Sequence, residues 1–369
     1  MKKPKAEWLA AGILALLLHD VMLVMGCVII RDGFSLEGLF ALIRERLAEP
    51  GDAVRYLQIA AEGYQKTGPD AINLVFYPLY PYLMGLFAFT GDLAAVGMVI
   101  SRAALVGAGG CLFELGRMDG GRKGGWYATL MMTLYPFSMF TVGVYTESLF
   151  LLLSLSCMLL IRKDRLPAAG AVGFLAALTR VQGMLLVFPA VYHVVAGRLG
   201  PEKRKLKAGD LCVLLIPLGF AVYLMINKAL HGNPFQFMIF EEGEPWYQST
   251  KWIGENIAQQ YQNALQFKGL EKIIYWPQIV LYFVALGALF AGLKMGVRME
   301  YLLYGAVYLG FTYLSGWMIS GGRYMLCCFP LFLVFSKVPS GKIRALALGI
   351  SGWAFFLYSL MFLQGYAIM

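Results

Sequence analysis

The sequence predicts an all-α polytopic membrane protein, with about eleven transmembrane helices in one domain that covers residues 1–369. Hydrophobic residues make up 59% of the chain, and its mean hydropathy is +0.65. Only 14% of the residues are charged, whereas a soluble domain averages about a quarter. Polar loops separate long apolar runs along the whole chain. These observations exclude a soluble domain that carries a single membrane anchor.

The apolar runs lie near residues 8–30, 93–116, 125–142, 147–161, 166–180, 183–197, 209–230, 274–293, 299–318, 322–336 and 343–366. A helix needs about 20 apolar residues to cross a bilayer, with a range of about 17–25. The first run, with about 23 residues, exceeds the apolar core of a signal peptide, and no cleavage site of small residues follows it. We therefore expect it to remain as the first span.

The distribution of basic residues predicts a cytoplasmic N-terminus. If Lys2, Lys3 and Lys5 are cytoplasmic and each run crosses once, nineteen of the 31 lysines and arginines fall on that side. The basic loops lie at residues 117–123, 162–165, 198–207, 294–298 and 337–344. Most acidic residues fall on the opposite side. Topology therefore explains the net charge of +9, and nucleic acid is not expected as a partner.

Two longer loop regions are predicted on the extracytoplasmic side. The first loop region covers residues 31–92, because its apolar run at 76–89 is short, contains two prolines and is expected to be interfacial rather than to cross. Leu36–Ala48 has apolar residues at helical spacing, which predicts an amphipathic helix on the membrane surface. The second loop region covers residues 231–273, with a helical pattern over Trp252–Phe267.

Asp52 is the candidate catalytic residue of the first loop region. It lies near Arg55 and about ten residues before Glu62, at the edge of an apolar segment. A carboxylate in such a position suits a general base. The competing interpretation is a helix cap, because Asp52 follows Pro50-Gly51 and precedes a helix-like run. The spacing alone favours the cap.

Three further charged residues are expected at the extracytoplasmic edge of predicted spans. They are Glu147, Arg180 and Arg323. Charged residues in such positions tend to face cavities or to pair with one another, and arginine binds phosphate in bidentate fashion. Capping by Glu147 and snorkelling of the arginines are the competing interpretations.

Motifs for metals and nucleotides are absent from the sequence. His193 and His231 are isolated, no histidine–cysteine cluster is present, and no phosphate-binding glycine loop appears. No cofactor is therefore expected, and a membrane-facing enzyme without a nucleotide site would need a lipid-linked donor. His19, Asp20 and Arg102 lie within predicted spans, where structural pairing is favoured over a cavity.

Five motifs in order resemble the PIG-V family, the mannosyltransferases of GPI-anchor synthesis, and its bacterial relatives. The motifs read GDAVRYLQIAAEGY followed by FYPLYP, then YTESLF, LTRVQGMLL, HGNPFQF and GRYMLCCFPLF. They cover most of residues 50–335. Each motif alone is weakly specific, whereas their order gives the resemblance its weight.

This resemblance implies a GT-C fold and a catalytic first loop. It implies a polyprenyl-phosphate sugar donor, a lipid or glycan acceptor, and inversion at the sugar with Asp52 as the base. The candidate substrate-binding residues are Arg55, Glu62, Tyr64, Tyr77, Pro78, Tyr80, Glu147, Arg180, Arg323 and Tyr324. Among them, the two arginines are our candidates to hold the donor phosphate, and Tyr77, Pro78 and Tyr80 to wall the groove.

The chain also departs from the family pattern. Gly51 stands where the family usually has tryptophan, and Val181-Gln182 replaces the usual residues before Gly183. Both departures bear on the sugar or acceptor pocket and leave the acceptor open. A transporter or flippase of lipid-linked sugars is the main alternative, because intramembrane charges and discontinuous helices serve transport. A binding protein without catalysis is the third.

Overall fold

The computed structural model of the protein describes residues 4–30, 35–49, 51–199, 205–269, 272–316, 320–366 and 368. These residues form helices and no strand, apart from an isolated β-bridge between Thr250 and Ser315. The predicted all-α class is thereby confirmed.

The α-helices of the described residues are α1 (Pro4–Ile30), α2 (Leu36–Ala48), α3 (Asp52–Glu62), α4 (Leu79–Gly85), α5 (Leu93–Thr133), α6 (Glu147–Arg162), α7 (Leu166–Ala177), α8 (Val187–Leu199), α9 (Leu215–His231), α10 (Gln236–Glu242), α11 (Ile253–Gln266), α12 (Lys272–Lys294), α13 (Met299–Thr312), α14 (Gly321–Leu326), α15 (Pro330–Ser336) and α16 (Gly341–Leu363). Short 3₁₀ helices lie at Pro69–Val75, Ala88–Thr90, Ser138–Thr141, Val181–Leu186 and Ala208–Leu214.

Several long apolar helices indicate a multi-pass membrane protein. Six helical segments in the described ranges are long and apolar enough to cross a bilayer: Ala6–Ile30, Leu93–Thr133, Val181–Leu199, Ala208–His231, Ile274–Lys294 and Gly341–Leu363. The predicted count of about eleven is not confirmed. Helices α6, α7 and α13 have only 16, 12 and 14 residues, and the predicted run at 322–336 divides into α14 and α15.

Helix α5 changes direction within the basic loop predicted at residues 117–123, which the structure shows as a turn inside the helix. At Gly121 the backbone leaves the helix with φ 64° and ψ −168°, a conformation that glycine adopts without steric cost. The two arms then pack closely, since a Cβ on Gly116 would lie 2.8 Å from the carbonyl oxygen of Gly124. Small residues permit such close approach between apolar helices.

The intramembrane charges predicted to pair do so between α1 and α5. Arg102 Nη2 lies 3.3 Å from Asp20 Oδ1, and Arg102 Nη1 donates to the carbonyl oxygen of Val142 at 2.8 Å. His19 is buried, with its Nδ1 2.7 Å from the carbonyl oxygen of Ala15. His193 was interpreted as isolated, which is wrong, because its Nδ1 lies 3.3 Å from Glu300 Oε1.

The two loop regions meet above the helices. Helix α2 has the predicted bounds, with the Ser35 hydroxyl accepting from the amide of Gly38 at 3.1 Å, and α11 fills the predicted helical pattern. Helix α4 has seven residues, far too few to cross a bilayer at about 1.5 Å per residue. The rings of Phe76 and Trp246 lie 5.9 Å apart, so the two loop regions share one aromatic contact surface.

Candidate functional site

A cavity of about 650 Å³ lies between the two loop regions and the helix ends beneath them. Six of the predicted site residues line it: Asp52, Arg55, Tyr77, Arg180, Arg323 and Tyr324. They come from four separate parts of the chain. The volume falls within the range of about 300–1,000 Å³ that is usual for small-molecule sites.

Asp52 lies in the first turn of α3 and faces this cavity. Gly51 is the N-cap residue, with φ 60° and ψ −129°, and no side chain caps the helix. The interpretation of Asp52 as a capping residue is therefore wrong. Instead, its Oδ2 accepts a hydrogen bond from Arg323 Nη1 at 2.6 Å, while 31% of the side chain stays exposed. Asp52 thus combines access to the cavity with a fixed cationic partner.

Glu147 lies behind the arginines rather than in the cavity wall. It is the first residue of α6, and its side chain is 0% exposed. Its Oε1 accepts from Arg180 Nη1 at 2.7 Å and also from Arg323 Nε. Glu147 therefore holds both arginines in place, and it is not among the residues that line the cavity.

Arg180 and Arg323 are held tightly by aromatic rings as well as by carboxylates. The Arg180 guanidinium lies 4.8 Å from the ring centre of Tyr324, and that of Arg323 lies 4.7 Å from the ring centre of Tyr145. Arg180 also donates to the Thr146 hydroxyl at 3.1 Å. Because cations on aromatic faces are attracted to them, these contacts orient both guanidinium groups before any ligand arrives.

The cluster has no net charge when its four groups are ionised. Two guanidinium cations face two carboxylates, and one of the carboxylates, Asp52, is the one open to the cavity. Buried charges that are paired in this way are costly to separate. An anion that binds Arg323 must therefore compete with Asp52 for the guanidinium donors.

Arg55 and Tyr77 also belong to the part of the cavity wall that the first loop region supplies. Arg55 Nη1 lies 3.4 Å from both Asp70 Oδ1 and Gln58 Oε1, so its pairing is loose. Tyr77 is buried and stacks on Tyr223, with ring centres 4.1 Å apart. Arg55 is consequently the more adaptable of the cavity's arginines.

Besides Glu147, four predicted substrate-binding residues do not line the cavity. Glu62 is exposed at the end of α3, and Pro78 is buried at the start of α4. Tyr64 donates its hydroxyl to the carbonyl oxygen of Phe76 at 2.5 Å. Tyr80 is fully buried and bonds Ser101 through its hydroxyl at 2.9 Å. In this structure, Tyr64, Pro78 and Tyr80 shape the loop region that carries Asp52.

The structure adds a residue of the second loop region that was not among the predicted site residues. Glu241, near the end of α10, lines the cavity. Desolvation raises the pKa of its carboxyl group to about 7. The signal in the sequence is the position of this acidic residue in an aromatic segment, FQFMIFEE. Packing of such a segment removes water from the carboxylate, which disfavours its charged form.

The described residues contain no group of three or more histidine, cysteine, aspartate or glutamate side chains arranged to hold a metal ion. The chemistry that these side chains can supply is proton transfer at Asp52 and charge stabilisation by the arginines.

Comparisons of the chain with protein-family models, with curated proteins and with solved structures return no match.

Proposed function

We propose that the protein is a membrane glycosyltransferase that moves a sugar from a polyprenyl-phosphate donor to an acceptor hydroxyl. The sugar that we propose is mannose. The acceptor is a lipid or a glycan, and the reaction takes place on the extracytoplasmic face. The observation that carries the proposal is the bond between Asp52, open to the cavity, and the buried Arg323. The motif resemblance to the PIG-V family supports it.

In the reaction, Asp52 accepts the proton of the acceptor hydroxyl. The hydroxyl oxygen forms a bond to the anomeric carbon, and the bond from that carbon to the phosphate oxygen breaks. The electron pair of the broken bond leaves with the phosphate. Attack and departure on opposite faces invert the configuration at the anomeric carbon, and general-base catalysis of this kind contributes about 10²–10⁴-fold.

Arg323 stabilises the charge in both halves of this step. Negative charge disappears from Asp52 when the proton arrives and appears on the leaving phosphate. A guanidinium group with several donors can weaken its bond to Asp52 and strengthen one to phosphate without moving far. Glu147 keeps Arg180 and Arg323 in place meanwhile, which is the preorganisation that electrostatic catalysis needs.

The test is transfer by the purified protein in liposomes. The liposomes receive radiolabelled polyprenyl-phosphate-mannose and a membrane lipid extract as the source of acceptor. We expect label to move from the donor to a new product. The proposal fails if the protein transfers no hexose from a polyprenyl phosphate but carries the intact donor across the bilayer. That behaviour would be the behaviour of a flippase.

A further inference from the structure

Glu241 has no cationic partner among the described residues. No lysine or arginine of those residues pairs with its carboxylate, and desolvation by burial is the cause of the raised pKa of its carboxyl group. Its neighbour Glu242 also lines the cavity and is exposed. An unpaired, partly desolvated carboxylate is unfavourable for the folded protein, so its place in a cavity wall favours a role in binding.

Aromatic side chains line the same cavity as Glu241. Phe76 and Trp246 meet edge to face with ring centres 5.9 Å apart, and Tyr77 lies in the same wall. Phe237 precedes Glu241 by one helical turn, which brings both to one face of α10. The buried hydroxyl of Tyr77 has no hydrogen-bond partner in the described part of the chain.

This wall is rigidly built. Asn227 Oδ1, on α9, accepts from the amide of Phe237 at 3.0 Å. Tyr223, also on α9, donates its hydroxyl to the carbonyl oxygen of Leu74 at 2.7 Å. Helix α10 is thereby tied to α9, and α9 is tied to the 3₁₀ helix at Pro69–Val75, so the segments that form the wall are held together before a ligand binds.

Aromatic faces and a carboxylate together recognise ammonium groups, because the ring face and the anion both attract a cation. The charges of the cavity lead to the same chemistry. Asp52 and Glu147 already neutralise Arg180 and Arg323, and Asp70 lies 3.4 Å from Arg55, so a donor phosphate and an ionised Glu241 leave negative charge in excess. An ammonium group on the second substrate would restore the balance.

We propose that Glu241 and the aromatic wall of Phe76, Tyr77, Phe237 and Trp246 form an ammonium-binding subsite, and that the acceptor carries an amine. The assignment of the amine to the acceptor rests on the proposed function, whereas the subsite itself rests on the geometry of the wall. The ammonium is either a primary amine or a quaternary headgroup, and the experiment distinguishes the two.

Transfer is measured with the wild type, Glu241→Gln and the matched control Glu244→Gln. Glu244 is exposed, accepts from the Tyr247 hydroxyl at 2.6 Å and does not line the cavity. The lipid extract is used native or after N-acetylation with acetic anhydride, which removes the charge of primary amines and leaves the donor intact. Choline chloride serves as a quaternary competitor, with sodium chloride at the same concentration as its control.

If the ammonium is a primary amine, acetylation lowers wild-type transfer about tenfold, in keeping with a desolvated cation–aromatic contact. If it is quaternary, acetylation has no effect and choline inhibits the wild type but not Glu241→Gln. In both cases Glu244→Gln behaves as the wild type. Equal transfer to both extracts without choline inhibition overturns the subsite while the transferase proposal stands.

A binding measurement separates this inference from the proposed function. Thermal unfolding of the purified protein is followed with choline or ethylammonium and without any donor. Both salts are compared with sodium chloride. Stabilisation of the wild type but not of Glu241→Gln supports the subsite even if no transfer is detected. The absence of stabilisation by both ammonium ions overturns it.

Discussion

Replacement of Glu147 by glutamine should destabilise the protein strongly. The side chain is fully buried and bonds two guanidinium groups that are themselves 8% and 5% exposed. Removing one member of a buried ionic cluster leaves uncompensated charge and costs about 3–5 kcal/mol. With about 2.1 cal/mol/K of unfolding entropy per residue, this loss lowers the unfolding midpoint of the 369-residue chain by about 4–6 °C.

The assay is thermal unfolding of the purified protein in detergent, with Glu37→Gln as the control. Glu37 is exposed in the first turn of α2, and its replacement should leave the midpoint unchanged. Adding Arg180→Met to Glu147→Gln removes one of the orphaned cations and should recover part of the loss. An unchanged midpoint in Glu147→Gln would refute the view that this carboxylate holds the arginines together.

Three further predictions concern the same region. Arg323→Lys should lower the transfer rate about 10²-fold, because one ammonium cannot bond Asp52 and Glu147 in the same geometry; wild-type rates would contradict this. Because the pKa of Glu241 is raised in the folded state, the wild type loses stability as the pH rises from about 4.5 to 7. Glu241→Gln should therefore be more stable than the wild type at pH 8, by at most about 3 kcal/mol, and equal to it at pH 4. Unfolding midpoints at both pH values provide the check. Gly51→Ala should lower the free energy of unfolding by about 1–3 kcal/mol through backbone strain alone, since the added Cβ would meet nothing within 4 Å. Its control, Gly349→Ala within a helix, should not destabilise the protein.

Local patterns predicted the local elements well. Helix α2 and the helical pattern of the second loop region were identified from the spacing of apolar residues, which a short segment contains in full. A loop at residues 117–123 followed from a break in hydropathy, and the structure places its turn at Gly121. The number of spans was not obtained in this way, because composition does not show where a buried apolar run is shortened or divided, as at Pro330.

The candidate site was predicted as a set of residues but not as an arrangement. Asp52 and Arg323 are 271 positions apart, and Glu147 and Arg323 are 176 apart, so no local pattern connects them. The sequence could not reveal that Glu147 supports the arginines from behind. Glu241 was not singled out because its importance depends on burial against rings from the first loop region.

The most direct test of the account is the rate of transfer by Asp52→Asn under saturating donor. Asp92→Asn is the matched control, since Asp92 caps α5 and pairs with Arg44 in the same loop region, outside the cavity. We predict a fall of about 10²–10⁴-fold in Asp52→Asn, with near-normal transfer in Asp92→Asn. The unfolding midpoint of Asp52→Asn should fall by less than that of Glu147→Gln, because 31% of the Asp52 side chain is exposed. Transfer by Asp52→Asn at the wild-type rate would contradict the assignment of Asp52 as the base.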